Sequence, residues 1–161
     1  MLLLLMRHGI AVDPKHARGL PDAQRPLTPE GLRRTRQVAR ALRKLGVAPD
    51  LILTSPLMRA TQTAEVAAKA LGVKRKRTTP ALAPGGPPAK LLLEAARSKA
   101  KCVLCTGHAP QLDLVIAAAV SAPGPICELK KAGVACLDLE PRSRRAMLLW
   151  LLQPAVARRL K

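Results

Sequence analysis

The sequence contains no phenylalanine, no tyrosine and a single tryptophan, Trp150. Its core must therefore be filled by Leu, Ala, Val and Ile. A reader of single-stranded nucleic acid, which stacks bases on aromatic platforms, is disfavoured as a class. Acids are also scarce: 10 Asp plus Glu stand against 28 Lys plus Arg, for a net charge of +18 and a pI near 11.3. Such a field attracts phosphorylated substrates, acidic proteins, nucleic acid or anionic membrane, and by itself it chooses none of them. Long apolar runs are missing too. The N-terminal run ends after residues 1–6, far short of a membrane span, and no charged segment precedes it as in a secretion signal.

Cysteine is limited to four residues. Cys102-Val-Leu-Cys105 has the C-x-x-C form, but the stretch 101–106 reads as a strand, in which residues three apart point to opposite faces. Cys127 and Cys136 bring no second pair to complete a zinc site, so all four are expected to be reduced structural thiols. What is present suffices for one packed domain: 161 residues, 48% of them hydrophobic. The expectation is a cytoplasmic protein with no membrane attachment, compatible with a monomer, whose domain spans 1–153 and is followed by a basic tail at 154–161.

Apolar strands alternate with amphipathic helices along the chain. Residues 2–6 read as a central parallel strand, and 9–27, with Pro14, Gly19, Pro21 and Pro26, as a surface loop. Thr28-Pro29-Glu30 starts a helix that Gly46 ends. Further strands are expected at 51–54, 73–77, 101–106, 133–139 and 146–152, and helices at 57–71, 89–98 and 110–120, with a Pro/Gly loop at 80–88. This order predicts a three-layer α/β/α sandwich with a mostly parallel sheet, whose site lies beyond the C-terminal strand ends.

That rule draws three places together. The first strand empties into Arg7-His8-Gly9, the second into Ser55 with Arg59 on the helix that follows, and the fourth into Gly107-His108. Two imidazoles beside two guanidinium groups repel a metal cation but suit a phosphoryl group. Arginine offers paired donors to its oxygens, and a neutral histidine can attack phosphorus. Gly9 and Gly107 are expected to let the backbone approach an oxyanion.

Arg7-His8-Gly9 after an N-terminal strand, Pro26-Leu27-Thr28-Pro29-Glu30-Gly31, Ser55-Pro-Leu-Met-Arg59-Ala60-Thr-Gln62-Thr63 and Gly107-His108-Ala-Pro110 together resemble the histidine phosphatase superfamily, the phosphoglycerate-mutase-like group. Within it the short SixA-like phosphohistidine phosphatases are most similar, and the likeness runs from Met1 to about Leu152. It implies that His8 is phosphorylated during turnover, that Arg7 and Arg59 grip the phosphoryl oxygens, and that a protonated His108 completes the pocket. It also implies that no metal or other cofactor is required and that the protein serves signal transduction.

One departure stands out. Many members place an acid between the second and third motifs to protonate an alcohol leaving group. Here only Glu65 and Glu94 lie there, both mid-helix, and Asp13 is read as the one nearby acid of the first loop and as a substrate-binding candidate beside Gly9, Ser55 and Gly107. A missing acid fits a nitrogen leaving group, since imidazole has a pKa of about 6.5 and can take its proton from solvent. The expected substrate is therefore a phosphorylated protein carrying phosphohistidine. A small phosphate ester, or a module that only binds phosphate or polyanion, is the alternative. Plainer readings hold elsewhere: His16 is a structural loop residue, Gly85-Gly86 a turn that could line the pocket mouth, and Lys74-Arg-Lys-Arg77 a solvated edge strand with its charges on alternate faces.

Overall fold

A computed structural model describes residues 1–160. Six strands form one sheet: β1 (Leu2–Arg7), β2 (Leu51–Thr54), β3 (Lys76–Thr78), β4 (Cys102–Gly107), β5 (Val134–Leu139) and β6 (Ala146–Leu152). Their order is β3-β2-β4-β1-β5-β6. The pairings β2–β3, β2–β4 and β1–β4 are parallel, while β5 runs antiparallel to both β1 and β6. Only β5 opposes the common direction, so the mostly parallel sheet expected from the sequence is found.

Helices α1 (Pro29–Lys44), α2 (Met58–Leu71) and α5 (Pro154–Ala157) cover one face, and α3 (Pro88–Arg97) and α4 (Gln111–Ala119) the other. The alternation of β1 feeds both cores: Leu3 and Leu5 pack under α3 and α4, Leu4 and Met6 under α1 and α2. With no Phe or Tyr, the largest fully buried side chains are Leu, Ile and Met, and alanines at Ala60, Ala64 and Ala67 let α2 lie close to the sheet. Cys102 and Cys105 fall in opposite cores, as strand geometry demands, and all four cysteines are free. Burial pushes the Cys102 thiol up to about 12, which makes it unreactive at neutral pH.

The Thr28 hydroxyl caps α1 by accepting from the Gly31 amide, with Pro29 in the first turn. The strand expected over 73–77 is shorter and later. Gly72 adopts a left-handed conformation (φ 74°) and the Val73 amide bonds back to Ala68, so Val73 belongs to the end of α2. The three residues of β3 are all exposed at the sheet edge, where Lys76 pairs with Glu65 and Arg77 with Glu94. The segment after 153 opens with the helical turn of α5, which buries Ala157 against α1. Among the described residues, no helix is long and apolar enough to cross a membrane.

Candidate active site

Register builds the site. In the β1–β4 pair Arg7 lies beside Gly107, and in the β2–β4 pair Thr54 lies beside Thr106, so three strands end at one level. The ladder continues one step further on each side: the His8 amide donates to the Gly107 carbonyl (2.9 Å) and the Ser55 amide to Thr106 (3.0 Å). Residues far apart in sequence thus meet at a single crevice. His8 and His108 are both buried, with ring centroids 5.1 Å apart.

The orientation of His8 follows from one hydrogen bond. Its Nδ1 lies 2.7 Å from the Gly9 carbonyl, which can only accept, so Nδ1 carries the proton and Nε2 keeps a free lone pair. Burial, with help from the charges of Arg59, Arg7 and Lys131, lowers its pKa to about 4. His108 Nε2 is hydrogen-bonded to Ser55 Oγ (2.8 Å), and burial, then His8 and Arg59, lower its pKa to about 3. Both rings are therefore neutral at pH 7 in the ligand-free protein. The Asp22 carboxylate opposes these cations without overcoming burial, so the site favours the neutral form of His108.

Two arginines frame the imidazoles. Arg59 is buried in α2 and donates from Nη1 to the Asp22 carbonyl (2.8 Å) and from Nη2 to its carboxylate (3.0 Å). Arg7 donates from Nη1 to the Leu129 carbonyl (2.8 Å), and the Leu129 amide is held in turn by the buried Asp113 carboxylate (3.0 Å). A guanidinium has five N–H groups, so each fork keeps donors for an oxyanion, and the Nε of both arginines has no protein partner. The crevice has a volume of about 500 Å³, and the Gly85-Gly86 turn does line its mouth. Gln111 fastens that turn by donating to the Ala81 and Gly86 carbonyls.

Three of the residues expected to touch substrate have other partners. The Gly9 amide donates to Thr63 Oγ1 (3.0 Å), and a Cβ at Gly9 would collide with Thr35 Oγ1, so this glycine permits packing against α1 and α2. Ser55 is fully buried and hydrogen-bonded to His108. Asp13 faces solvent and caps a short 3-10 turn by accepting from the Lys15 amide (2.8 Å), so it is not the acid of the site. Gly107 serves through its carbonyl, which receives His8, and the apolar ends of Leu82 and Leu112 crowd its Cα.

An acid that sequence reasoning passed over, Asp22, binds two arginines that line the crevice, although its own side chain is largely exposed. It lies between Arg25 and Arg59: Arg25 Nε and Nη2 donate to Oδ1 (2.9 and 2.6 Å) while Arg59 binds Oδ2. Arg25, with Arg59 behind it, holds this carboxyl below the usual carboxylate range. Its signal was present as the second acid of the 9–27 loop, but a fourteen-residue separation from His8 gives no reach without the fold. Glu65 and Glu94 pair with Lys76 and Arg77 at the β3 edge, clear of the crevice lining.

The histidines make stability pH-dependent. The unfolded chain binds protons on His8 and His108 near pH 6.5, whereas the folded chain resists until about pH 4 and 3. The unfolded state holds more protons within that window, so stability falls as pH drops from 6.5 towards 4, by up to roughly 1.4 kcal/mol per pH unit for each ring. Denaturant titrations at pH 7, 6 and 5 should show this slope, and it should flatten in the His8→Gln/His108→Gln variant. Equal slopes in both proteins would assign the effect to other groups.

Two neutral imidazoles and two guanidinium forks, at the strand ends of a three-layer α/β fold, define a protein built to handle phosphoryl groups at histidine. The profile of the histidine phosphatase superfamily (branch 1) matches residues 3–83, and the chain belongs to this superfamily of histidine-dependent phosphatases. An uncharacterized protein of Picosynechococcus is 43% identical over 139 residues, spanning 83% of this chain and 82% of the relative. Among solved structures, the protein histidine phosphatase SixA complexed with tungstate superposes with a TM-score of 0.87 at 25% identity, covering 96% of this chain and 98% of SixA. The alpha-ribazole phosphatase of Shigella flexneri shares the fold, with a TM-score of 0.76 at 19% identity over 96% of this chain and 97% of its own.

Proposed function

We propose that this phosphatase works through a phosphate carried on His8 Nε2 and that its preferred substrate is phosphohistidine on a protein. The observation behind the substrate choice is Asp22. No carboxylate lines the crevice, and Asp22, the acid bound to its arginines Arg25 and Arg59, is held ionised, so it cannot lend a proton to a leaving alcohol. A departing imidazole needs far less help, because its nitrogen is protonated by solvent near neutrality.

The His8 Nε2 lone pair attacks phosphorus as the P–N bond of the substrate breaks, and that bond's electron pair leaves with the substrate imidazole, which takes a proton from solvent. Phosphate thus passes between like nitrogens, so the step is close to thermoneutral. Water then attacks the His8-bound phosphorus as the P–Nε2 bond breaks; that electron pair returns to His8 Nε2, the proton lost by water passes to solvent, and inorganic phosphate leaves. Arg7 and Arg59 hold the spreading charge of both transition states, and the incoming dianion favours a proton on His108. The tungstate in the SixA structure, a tetrahedral oxyanion, supports an oxyanion pocket in this fold.

The test is a substrate panel run with chelator present. A phosphohistidine protein should be cleaved at least ~10²-fold more efficiently than an alkyl phosphate, the range that one proton-transfer catalyst supplies. An aryl phosphate, whose leaving group is also weakly basic, should fall between them. Alkyl phosphates cleaved as fast as phosphohistidine would reveal a working proton donor, with Asp22 the first residue to change, and would favour the small-ester reading.

A further inference from the structure

We infer that a series of adjoining basic depressions, leading from the catalytic crevice across α1, is the docking surface for an acidic segment of the phosphoprotein substrate. The inference rests on the phosphoprotein reading and specifies what the protein substrate must look like around its phosphohistidine.

Adjacency is the first observation. Arg7 and Lys131 line both the crevice and a neighbouring depression walled by Arg34 and α5. Arg158 carries that depression into a smaller one beside Arg40 and Lys44, and Arg40 opens in turn onto a groove between α1 and α2 with Lys69 on its far wall. Each depression therefore shares at least one cationic side chain with the next, from the crevice to the far end of α1.

Charge is the second. Arg36, Arg40 and Arg43 stand at i, i+4 and i+7, which places them on one stripe of α1, and all three are exposed. Neither they nor Lys44, Lys69, Lys131 and Arg158 pair with a carboxylate among the described residues. Elsewhere acids stand against cations, as Glu94 against Arg77. Along the depressions Glu30 pairs with Arg34, Glu128 with Lys130 and Glu65 with Lys76, which leaves the seven cations above without an acid. From Arg34 to Lys44 the helix rises about 15 Å, a span that about five extended residues cover.

Shape and position select the partner. The cations line a row of concave depressions, which an extended polypeptide can follow and a flat membrane surface meets only at their rims. The row also starts where the phosphohistidine must sit, so residues flanking that histidine are delivered to it by the act of substrate binding. Nucleic acid has no such link to the crevice, and the chain offers no Phe or Tyr on which to stack bases.

Two phosphohistidine peptides of equal length, one flanked by aspartates and one by serines, test this. At low salt the wild-type protein should prefer the acidic peptide by at least tenfold in kcat/KM, and the preference should shrink as ionic strength rises. In R36E/R40E/R43E the preference should vanish, while turnover of an aryl phosphate stays within twofold of wild type, which also reports an intact fold. The unphosphorylated acidic peptide should bind the wild-type protein and not the variant. That arm reads docking even if phosphohistidine proves a poor substrate, so failure of the groove and failure of the substrate reading are separable. Equal preference in both proteins would overturn the inference. So would a variant that loses affinity for duplex DNA or for phosphatidylserine vesicles while keeping its peptide preference.

Discussion

His8→Ala is expected to lower turnover of phosphohistidine and aryl phosphate alike by at least ~10⁴-fold, because it removes the atom that forms the covalent bond rather than one that assists it. The structure makes the expectation specific to one nitrogen. Nδ1 is committed to the Gly9 carbonyl at 2.7 Å, and the low pKa, about 4, keeps Nε2 unprotonated across the physiological range. Rapid quenching of wild-type protein with labelled substrate should trap an acid-labile, base-stable phosphate, and phosphorus NMR should place it on Nε2. His8→Asn, which keeps a polar side chain of similar bulk, should match His8→Ala in activity while preserving the melting temperature better. Label on another residue, label on Nδ1, or activity within tenfold of wild type would each remove His8 from the role of nucleophile.

Much of this was legible in the sequence because it depends on local rules. The strands of the parallel core announced themselves as short apolar runs, and Thr28-Pro29 marked the start of α1 by capping chemistry. Once alternating strands and helices are accepted, the strand-end rule alone brings Arg7, His8, Ser55, Arg59, Gly107 and His108 to one edge. What could not be read is what each side chain does on arrival. Gly9 looks like an oxyanion glycine, yet its amide is taken by Thr63, the residue after Gln62, whose side chain holds Leu27. These polar pairs tie the histidine loop to α2, and no periodicity encodes a hydrogen bond across fifty-four residues. The boundary of β3 was missed for a different reason: Val73 has strand propensity, but the left-handed turn at Gly72 draws it into the helix end.

Loops hid the rest of the site. Asp13 and Asp22 are both acids of one irregular segment, and the nearer in sequence turned out to be a cap for its own turn. The farther one is carried back to α2 by a second 3-10 turn at Asp22–Gln24 and secured by Arg25, which itself reaches the Val12 carbonyl. Asp113 supports Arg7 through the Leu129 amide, an arrangement that depends on where the 120–132 connection crosses the end of β1. Positioning of this kind is set by tertiary contacts alone.

Arg59→Lys is expected to cost ~10²- to 10³-fold in kcat, about what the loss of one oriented transition-state donor costs in a preorganised site. Charge is conserved in this variant, so the loss measures geometry: a lysine ammonium cannot bond Asp22 at two points and still present a planar edge to phosphate. Two explanations predict a loss, and they separate. If Arg59 acts only by anchoring the Asp22 turn, then Asp22→Ala, which removes the carboxylate half of that contact and leaves the bond to the backbone carbonyl, should already lose much of the activity that Arg59→Lys loses. If Arg59 grips the phosphoryl group, Asp22→Ala should stay within about tenfold of wild type, because the fork keeps its charge and gains free donors. The second outcome is expected, since two of the five donors of Arg59 suffice for Asp22 and its Nε has no protein partner. Tungstate affinity gives a readout independent of turnover. It should fall sharply in Arg59→Lys and hold or rise in Asp22→Ala, where a competing carboxylate has been removed from the guanidinium. Near-normal kinetics in Arg59→Lys would take this arginine out of the reaction, and matched losses in both variants would reduce it to a support for the loop.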